Sequence, residues 1–297
     1  MLKRTFIIFT LMSQILSITL QEAYNNSDSN ENYDKYLILD SNLNYTGGLG
    51  IYEGNVFIDC NGATINLEGG QGIWIYADED SPSSLDIQEC SIVNGLYYGL
   101  SYGGTSMGNV INCNFYSTNF GLKLFDESNV YVTNSIFINQ QSMGIGVYTE
   151  FPTINGDYIL FWNNEDDCME NCPGWGNIWT QLELSSGLGI INNNPLFSNI
   201  EHFNFNLTEN SPCINSGNPD IIDSDGSISD LGAITYNYSI GCSLFGDINY
   251  DNEINVLDIV EIINCILFDF CTNCSDMNDD GITNVLDVVA IINIIIN

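Results

Sequence analysis

The feature that most restricts the fold is a residue column that returns about every 22 positions through the middle of the chain. Cys60, Cys90, Cys113, Asn134 and Asp157 hold equivalent places in successive segments, spaced 30, 23, 21 and 23 residues apart. A second column, Gly72, Gly99, Gly121 and Gly144, is spaced 27, 22 and 23 residues apart. Between the columns, short runs alternate β-branched or aromatic residues with polar ones, and Gly, Asn and Ser fill the turns, which is the pattern of short strands. Strands that return at a fixed interval, with no helical stretch between them, point to a parallel β-solenoid. Each coil gives two or three strands and stacks on the coil before it. Equivalent residues then stand about 4.8 Å apart, so like residues recur, amide and small side chains can stack in interior ladders, and glycine can turn positive-φ corners. An antiparallel sandwich is the rival reading, since it also uses many short strands, but it does not require columns at a constant period.

Charge narrows the partners. The 297 residues include 38 Asp and Glu against four Lys and Arg, a net charge of −34. Two of the four bases, Lys3 and Arg4, precede an apolar run from Phe6 to about Leu20, the pattern of a secretory signal peptide over residues 1–20. An uncleaved membrane anchor is the alternative for this segment. Without it, the chain has no arginine and only Lys35 and Lys123, which excludes binding to nucleic-acid phosphates, and no other segment could span a bilayer, so direct membrane insertion is not expected. Residues 21–35 read as a polar linker. An exported, extracellular or cell-surface chain can oxidise its ten cysteines. Cys60, Cys90 and Cys113, one per repeat, suit stacked free thiols. Cys242, Cys265, Cys271 and Cys274 suit a disulfide staple on a small domain, and could alternatively hold zinc. A local bridge between Cys168 and Cys172 is expected.

Residues 241–297 carry the strongest chemical signal. The stretches 247–267 and 276–296 match at 12 of 21 positions with an offset of 29. Asp247, Asn249, Asp251, Asn255 and Asp258 in the first, and Asp276, Asn278, Asp280, Asn284 and Asp287 in the second, fall at positions 1, 3, 5, 9 and 12 of a calcium-binding loop. Main-chain carbonyls of Glu253 and Ile282 would add position 7, and Gly281 or Asn252 takes the sharp turn at position 6. Two Ca²⁺ ions are the cofactors expected. Each loop runs into an apolar helix, Val256–Leu267 or Val285–Ile296, and the two helices must pack on each other. The motif is loop-plus-exit-helix, duplicated, without the entry helix of a complete EF-hand.

Two resemblances follow from these residues. The segment 36–240 resembles the right-handed parallel β-helix proteins of the pectate-lyase-like superfamily. The coil pattern Ile-x-x-Cys/Asn-x-Ile/Phe carries it, together with the later stretches Tyr158–Asn164, Asn194–Phe197, Phe203–Leu207, Ser211–Gly217 and Asp225–Ala233. The duplicated unit resembles a type I dockerin. That resemblance implies a cohesin-like module or cell-surface scaffold as partner, contacted through loop positions 10 and 11: Val256, Leu257, Val285 and Leu286.

Catalytic signals are sparse. Lyases of the resembling superfamily commonly use Arg or Lys as base; here Lys123 is the only lysine in the repeats, in acidic surroundings that hold its pKa up. A hydrolase needs paired carboxylates. Glu165, Asp166 and Asp167 form the densest acidic cluster of the solenoid, near Trp162, Trp175 and Trp179, but the Gly-His-Gly and Arg-x-Lys motifs of β-helix polygalacturonases are absent. His202, the only histidine, reads as a surface or packing residue, and Asp223–Gly226 as a turn. The expectation is therefore a non-enzymatic glycan- or surface-binding β-helix protein with no assigned catalytic residue. A polysaccharide-degrading enzyme, acting on O-glycosyl bonds and delivered by the same module, is the alternative, and a purely structural matrix or surface-layer component is a third reading.

Overall fold

The computed structural model of the protein describes residues 17–149, 151–164, 178–179, 188–223, 226–236, 245–249, 253–268, 271, 273–278 and 282–296. The chain divides into two compact units, one holding the residues up to 194 with 231–234, the other holding 195–230 with 235–297.

The first unit is a parallel β-solenoid of about six turns. Its first face stacks Lys35–Ile38, Gly54–Asp59, Ser83–Gln88, Met107–Ile111, Asn129–Ile138 and Thr153–Trp162, each parallel to the strand of the next coil. The second face stacks Ser17–Thr19, Asn44–Thr46, Thr64–Asn66, Ser91–Val93 and Asn114–Tyr116, then continues onto the last two long strands. Because those long strands run through both faces, the two join into one 11-stranded sheet. The third face stacks Leu49–Ile51, Ile73–Ala77, Leu100–Gly104, Phe120–Leu124 and Met143–Val147, and ends in the antiparallel pair Ile178–Trp179. The parallel-sheet reading holds and the sandwich reading does not. The short helix Leu20–Asn26, capped by Thr19 and burying Leu20, lies where the sequence suggested a polar linker.

Alternation fills the interior. Leu37, Ile58, Ile87, Val110 and Val132 form one buried ladder down the first face, one residue per coil. Phe115, Phe137 and Phe161 form another, with ring centroids 4.7 and 5.4 Å apart and planes within 19°. Three of the four members of the glycine column are explained by this stack, while the fourth, Gly72, has a positive φ of 110° and abuts Tyr98. A β-carbon at Gly99 or Gly144 would lie 2.9 or 2.7 Å from Phe115 or Phe161, and Gly121 is equally blocked by Phe137. Sterics, and not positive φ, keep these three positions as glycine.

Two columns of positive-φ corners are held largely by residues other than glycine. Glu89, Asn112, Asn134 and Tyr158 turn one corner in successive coils with φ of 48–52°, and Asn94, Ser117, Asn139 and Asn163 turn the next with φ of 51–59°. Asparagine tolerates this conformation, and here the amides also bond between coils: Asn134 Nδ2 donates to Asn112 Oδ1 at 3.3 Å, and Asn163 Nδ2 to Asn139 Oδ1 at 2.7 Å. This corrects the first sequence column. Asn134 belongs to a corner, and the place following Cys113 is held by Ser135 and then Ile159, with the Cys113 N–H donating to Ser135 Oγ at 3.2 Å. Cys60 and Cys90 are not free thiols but a disulfide with Cα atoms 4.8 Å apart, which leaves Cys113 as a buried thiol. Neighbouring coils bring the two sulfurs together, and in an oxidising compartment they pair. Cys168 and Cys172 lie outside the described residues.

Among the described residues the named parallel strands run to Trp162, and a parallel bridge between Leu160 and Ile191 follows them. Residues Phe197–Asn199 and Asn204–Leu207 form an antiparallel hairpin in the second unit, followed by turns that include the one closed by the Gly226 N–H to Asp223 O at 2.9 Å. The segment Leu231–Ile234 returns to the solenoid, where the Gly232 N–H donates to Asn134 O at 2.8 Å. In the second unit the helices Val256–Phe268 and Val285–Ile296 pack through Ile262, Cys265, Val288 and Ile291. Cys265 and Cys271 form a disulfide, and Cys274 is also oxidised. Among the described residues no helix is long and apolar enough to cross a membrane.

Candidate functional site

The two repeat loops of the second unit are built alike. Asn255 precedes the first helix, and its Oδ1 accepts from the Leu257 N–H at 2.8 Å, an N-cap. Asp258 returns the bond, its Oδ2 accepting from the Asn255 N–H at 2.8 Å, so the pair makes a capping box with aspartate in place of glutamate. The other oxygen, Oδ1, reaches back to the loop and accepts from the N–H groups of Ile248 at 2.8 Å and Asn249 at 3.3 Å. In the second repeat Asn284 and Asp287 do the same: 2.8 Å to the Leu286 N–H, 2.8 Å to the Asn284 N–H, and 2.8 and 3.3 Å to Met277 and Asn278. The position-12 aspartate therefore ties the start of its loop to the start of its helix.

Both of these aspartates are fully buried, and Asp247 at position 1 is 3% exposed. Residues 241–297 contain no Lys, Arg or His to balance them. A carboxylate has about four lone-pair positions, and Asp258 and Asp287 each commit three to amides, so one remains for a cation. The donors are carboxylate, amide and carbonyl oxygens without nitrogen or sulfur, the set a hard ion such as Ca²⁺ takes. Residues Asp247, Asn249, Glu253 and Asn255, with Asp276, Asn278, Ile282 and Asn284, are described. Asp251 and Asp280 lie outside the described residues. Among the described residues no three carboxylate, thiol or imidazole groups gather close enough to hold a metal ion. The Ile282 carbonyl accepts from Asn284 Nδ2 at 3.1 Å. One turn into the first helix, burial and then the Asp258 charge raise the Glu261 carboxyl above its usual range.

The partner residues read from sequence stand in the open. Val256, Leu257, Val285 and Leu286 are 63, 58, 66 and 59% exposed. They begin two matching apolar stripes, Val256, Val260, Ile263 and Leu267 on one helix and Val285, Val289, Ile292 and Ile296 on the other, all exposed. Sequence inspection alone, which sees only nearly all-apolar helices, does not distinguish these stripes from the buried faces.

On the solenoid, the acidic cluster Glu165–Asp167 and Trp175 lie outside the described residues, and Trp179 is described only in its backbone. Trp162 is partly exposed on the last coil. His202 sits in a single 3₁₀ turn with Nδ1 3.0 Å from Asn199 Oδ1. Lys123 differs from expectation. Its Nζ lies 4.1 Å from the ring centre of Tyr148, 4.7 Å from that of Phe120 and 5.2 Å from that of Phe125. Burial among these rings lowers its pKa to about 8, and the acidic composition of the chain does not prevent this.

One place was missed in the sequence. On the outer side of the third face, Tyr52, Gln71, Trp74 and Tyr98 wall a depression of about 350 Å³. Gly48 and Gly72 also line it, and a β-carbon at either would strike the main chain of the next coil. Its members are spread from residue 48 to residue 98 and become neighbours only when the coils stack, so no local motif marks them.

No protein-family model matches the chain, and no curated protein is significantly similar to it.

Proposed function

We propose that this is an exported β-helix protein whose solenoid binds a glycan or a glycan-bearing surface, and whose C-terminal module is a dockerin-like tether that folds around two Ca²⁺ ions. The observation that carries the tether is the duplication. Two aspartates, 29 residues apart, make the same three bonds at the same distances, and each repeat holds an exposed Val-Leu pair between its capping asparagine and that aspartate. Exposed apolar stripes of this length mark interaction surfaces. The partner that fits is a cohesin-like module or cell-surface scaffold, contacted through Val256 and Leu257 or, in the related orientation, Val285 and Leu286. The Cys60–Cys90 and Cys265–Cys271 disulfides support export.

A second reading, a polysaccharide-degrading enzyme delivered by the same tether, has one observation in its favour: a lysine whose pKa is lowered to about 8, close to the range of a general base. Among the described residues no arginine or acid pair accompanies it, so binding without turnover is the better reading.

Calorimetric titration of Ca²⁺ into the chelator-treated full chain, followed by circular dichroism, tests the tether. Two ions bound per chain with a gain of helix is the result expected. Absence of binding, with the helices already formed, would remove calcium from the proposal.

A further inference from the structure

We infer that the outer side of the third face is a binding platform for a neutral oligosaccharide, laid across the coils with a sugar ring stacked on Trp74. This rests on the glycan-binding reading above and assigns it a site.

Residues pointing outward on this face form rows, one residue per coil. The central row reads Gly50, Trp74, Ser101, Lys123 and Gly146. Ser101 and Gly146 are buried in this row, so its open part is the end at Gly50 and Trp74, where the glycine leaves the half-buried indole without a side chain beside it in the preceding coil. Around it lie Tyr98, with ring centres 6.0 Å apart, Tyr76, stacked at 6.2 Å, and Phe125, edge-on at 5.9 Å. Phe125 in turn lies 5.3 Å from Tyr148, so the ring packing continues inward to the buried rings of Phe120 and Tyr148 that hold Lys123, while Tyr52 and Tyr76 are the exposed rings of the patch. Aromatic faces next to one another present an apolar, weakly negative surface that suits the C–H side of a pyranose. The depression beside Trp74 is near the lower size limit of small-ligand pockets, room for a short piece of a chain whose remainder passes over the exposed rings of Tyr52 and Tyr76.

The polar groups agree with a sugar. Tyr52 and Gln71 are exposed, and Tyr98 is half-buried with its hydroxyl pushed up in pKa by burial and then by Tyr52. Phenols and a carboxamide both donate and accept, as hydroxyl groups require. Charge selects against acidic glycans: the chain carries 38 acidic residues, and the one lysine of the row is already seated on three rings.

The test is calorimetry of the calcium-loaded full chain with four probes: cellohexaose, xylohexaose, mannohexaose and hexagalacturonate. Trp74→Ala and Tyr52→Ala are compared with wild type, and thermal melting reports whether each variant is folded. Tyr52 is largely exposed, so its variant keeps the test valid if Trp74→Ala is unstable. The expected result is binding of at least one neutral hexasaccharide, weakened about tenfold by either substitution. Binding that both variants retain would overturn the platform and leave the glycan-binding reading standing. Preference for hexagalacturonate would overturn the neutral ligand. Failure of the wild type to bind any of the four would overturn both the platform and the reading beneath it.

Discussion

Gly144 stands over the ring of Phe161, and a β-carbon on residue 144 would lie 2.7 Å from Cδ1 of that ring. Gly144→Ala should therefore overpack the coil and lower stability by about 1–3 kcal/mol. The double change Gly144→Ala with Phe161→Leu should cost less than the sum of the two single changes, because each relieves the other. Denaturant titration of the four proteins measures the coupling, and simple additivity would show that the coil adjusts by another route.

Cys113 lies one coil beyond the Cys60–Cys90 disulfide, and burial pushes its thiol up to about 12. Cys213 is raised to about 12 for the same reason. Neither should react with iodoacetamide at pH 8 in the native protein, and both should do so in denaturant, as read by peptide mapping. Removing the disulfide, which closes a 30-residue separation, should cost about 2–4 kcal/mol in unfolding experiments.

Lys123 has a folded pKa of about 8 against an ordinary value of 10.5. Between those values the unfolded chain binds more protons than the native one, so this residue makes stability rise with pH across that window; below about pH 8 its cost is fully present. Lys123→Met should be more stable than wild type at pH 7, and the difference should close as pH passes 10.5. Melts over that range check the sign, and titration of the lysine by NMR locates the pKa directly.

Asp258→Ala would leave three amides of the first repeat without their acceptor. A loss of about 3 kcal/mol from the module is expected, with Asp258→Asn intermediate because one amide oxygen remains. Hydrogen exchange at Val256–Phe268 in the full chain should report it as faster exchange from the first turn onward.

If the tether uses either repeat, Leu257→Asp alone and Leu286→Asp alone should each leave partner binding largely intact, and the two together should abolish it. Pull-down against a cohesin-like module measures this. Loss on a single substitution would restrict docking to one orientation.

How far these features could be read from the sequence varied with how local they are. Columns at constant period revealed the solenoid because stacked coils place like residues on like. The same rule misassigned Asn134: it and Ser135 are adjacent, and only the register with Asn112 and Cys113 separates the corner from the interior. The Cys60–Cys90 bond was hidden because a ladder of cysteines looks alike whether oxidised or not. Asn255 and Asp258 stand out in the sequence as calcium-loop positions, whereas the capping box they form was not read, although its four consecutive positions lie in plain view. The Trp74 platform was not legible, because Tyr52, Gln71 and Tyr98 belong to it only through the stacking of separate coils.

The central row of the third face has a further meaning. Trp74 and Lys123 are two coils apart in one straight file, so about 9–10 Å separates their main chains, and that spacing is set by strand stacking and not by side-chain length. Inserting or deleting one whole coil between them would change it in a fixed step of about 4.8 Å while leaving every local environment intact. The reach between two chemical groups on this surface is thus counted in whole units, as teeth are on a rack, and could be reset by changing the number of coils without redesigning any one of them.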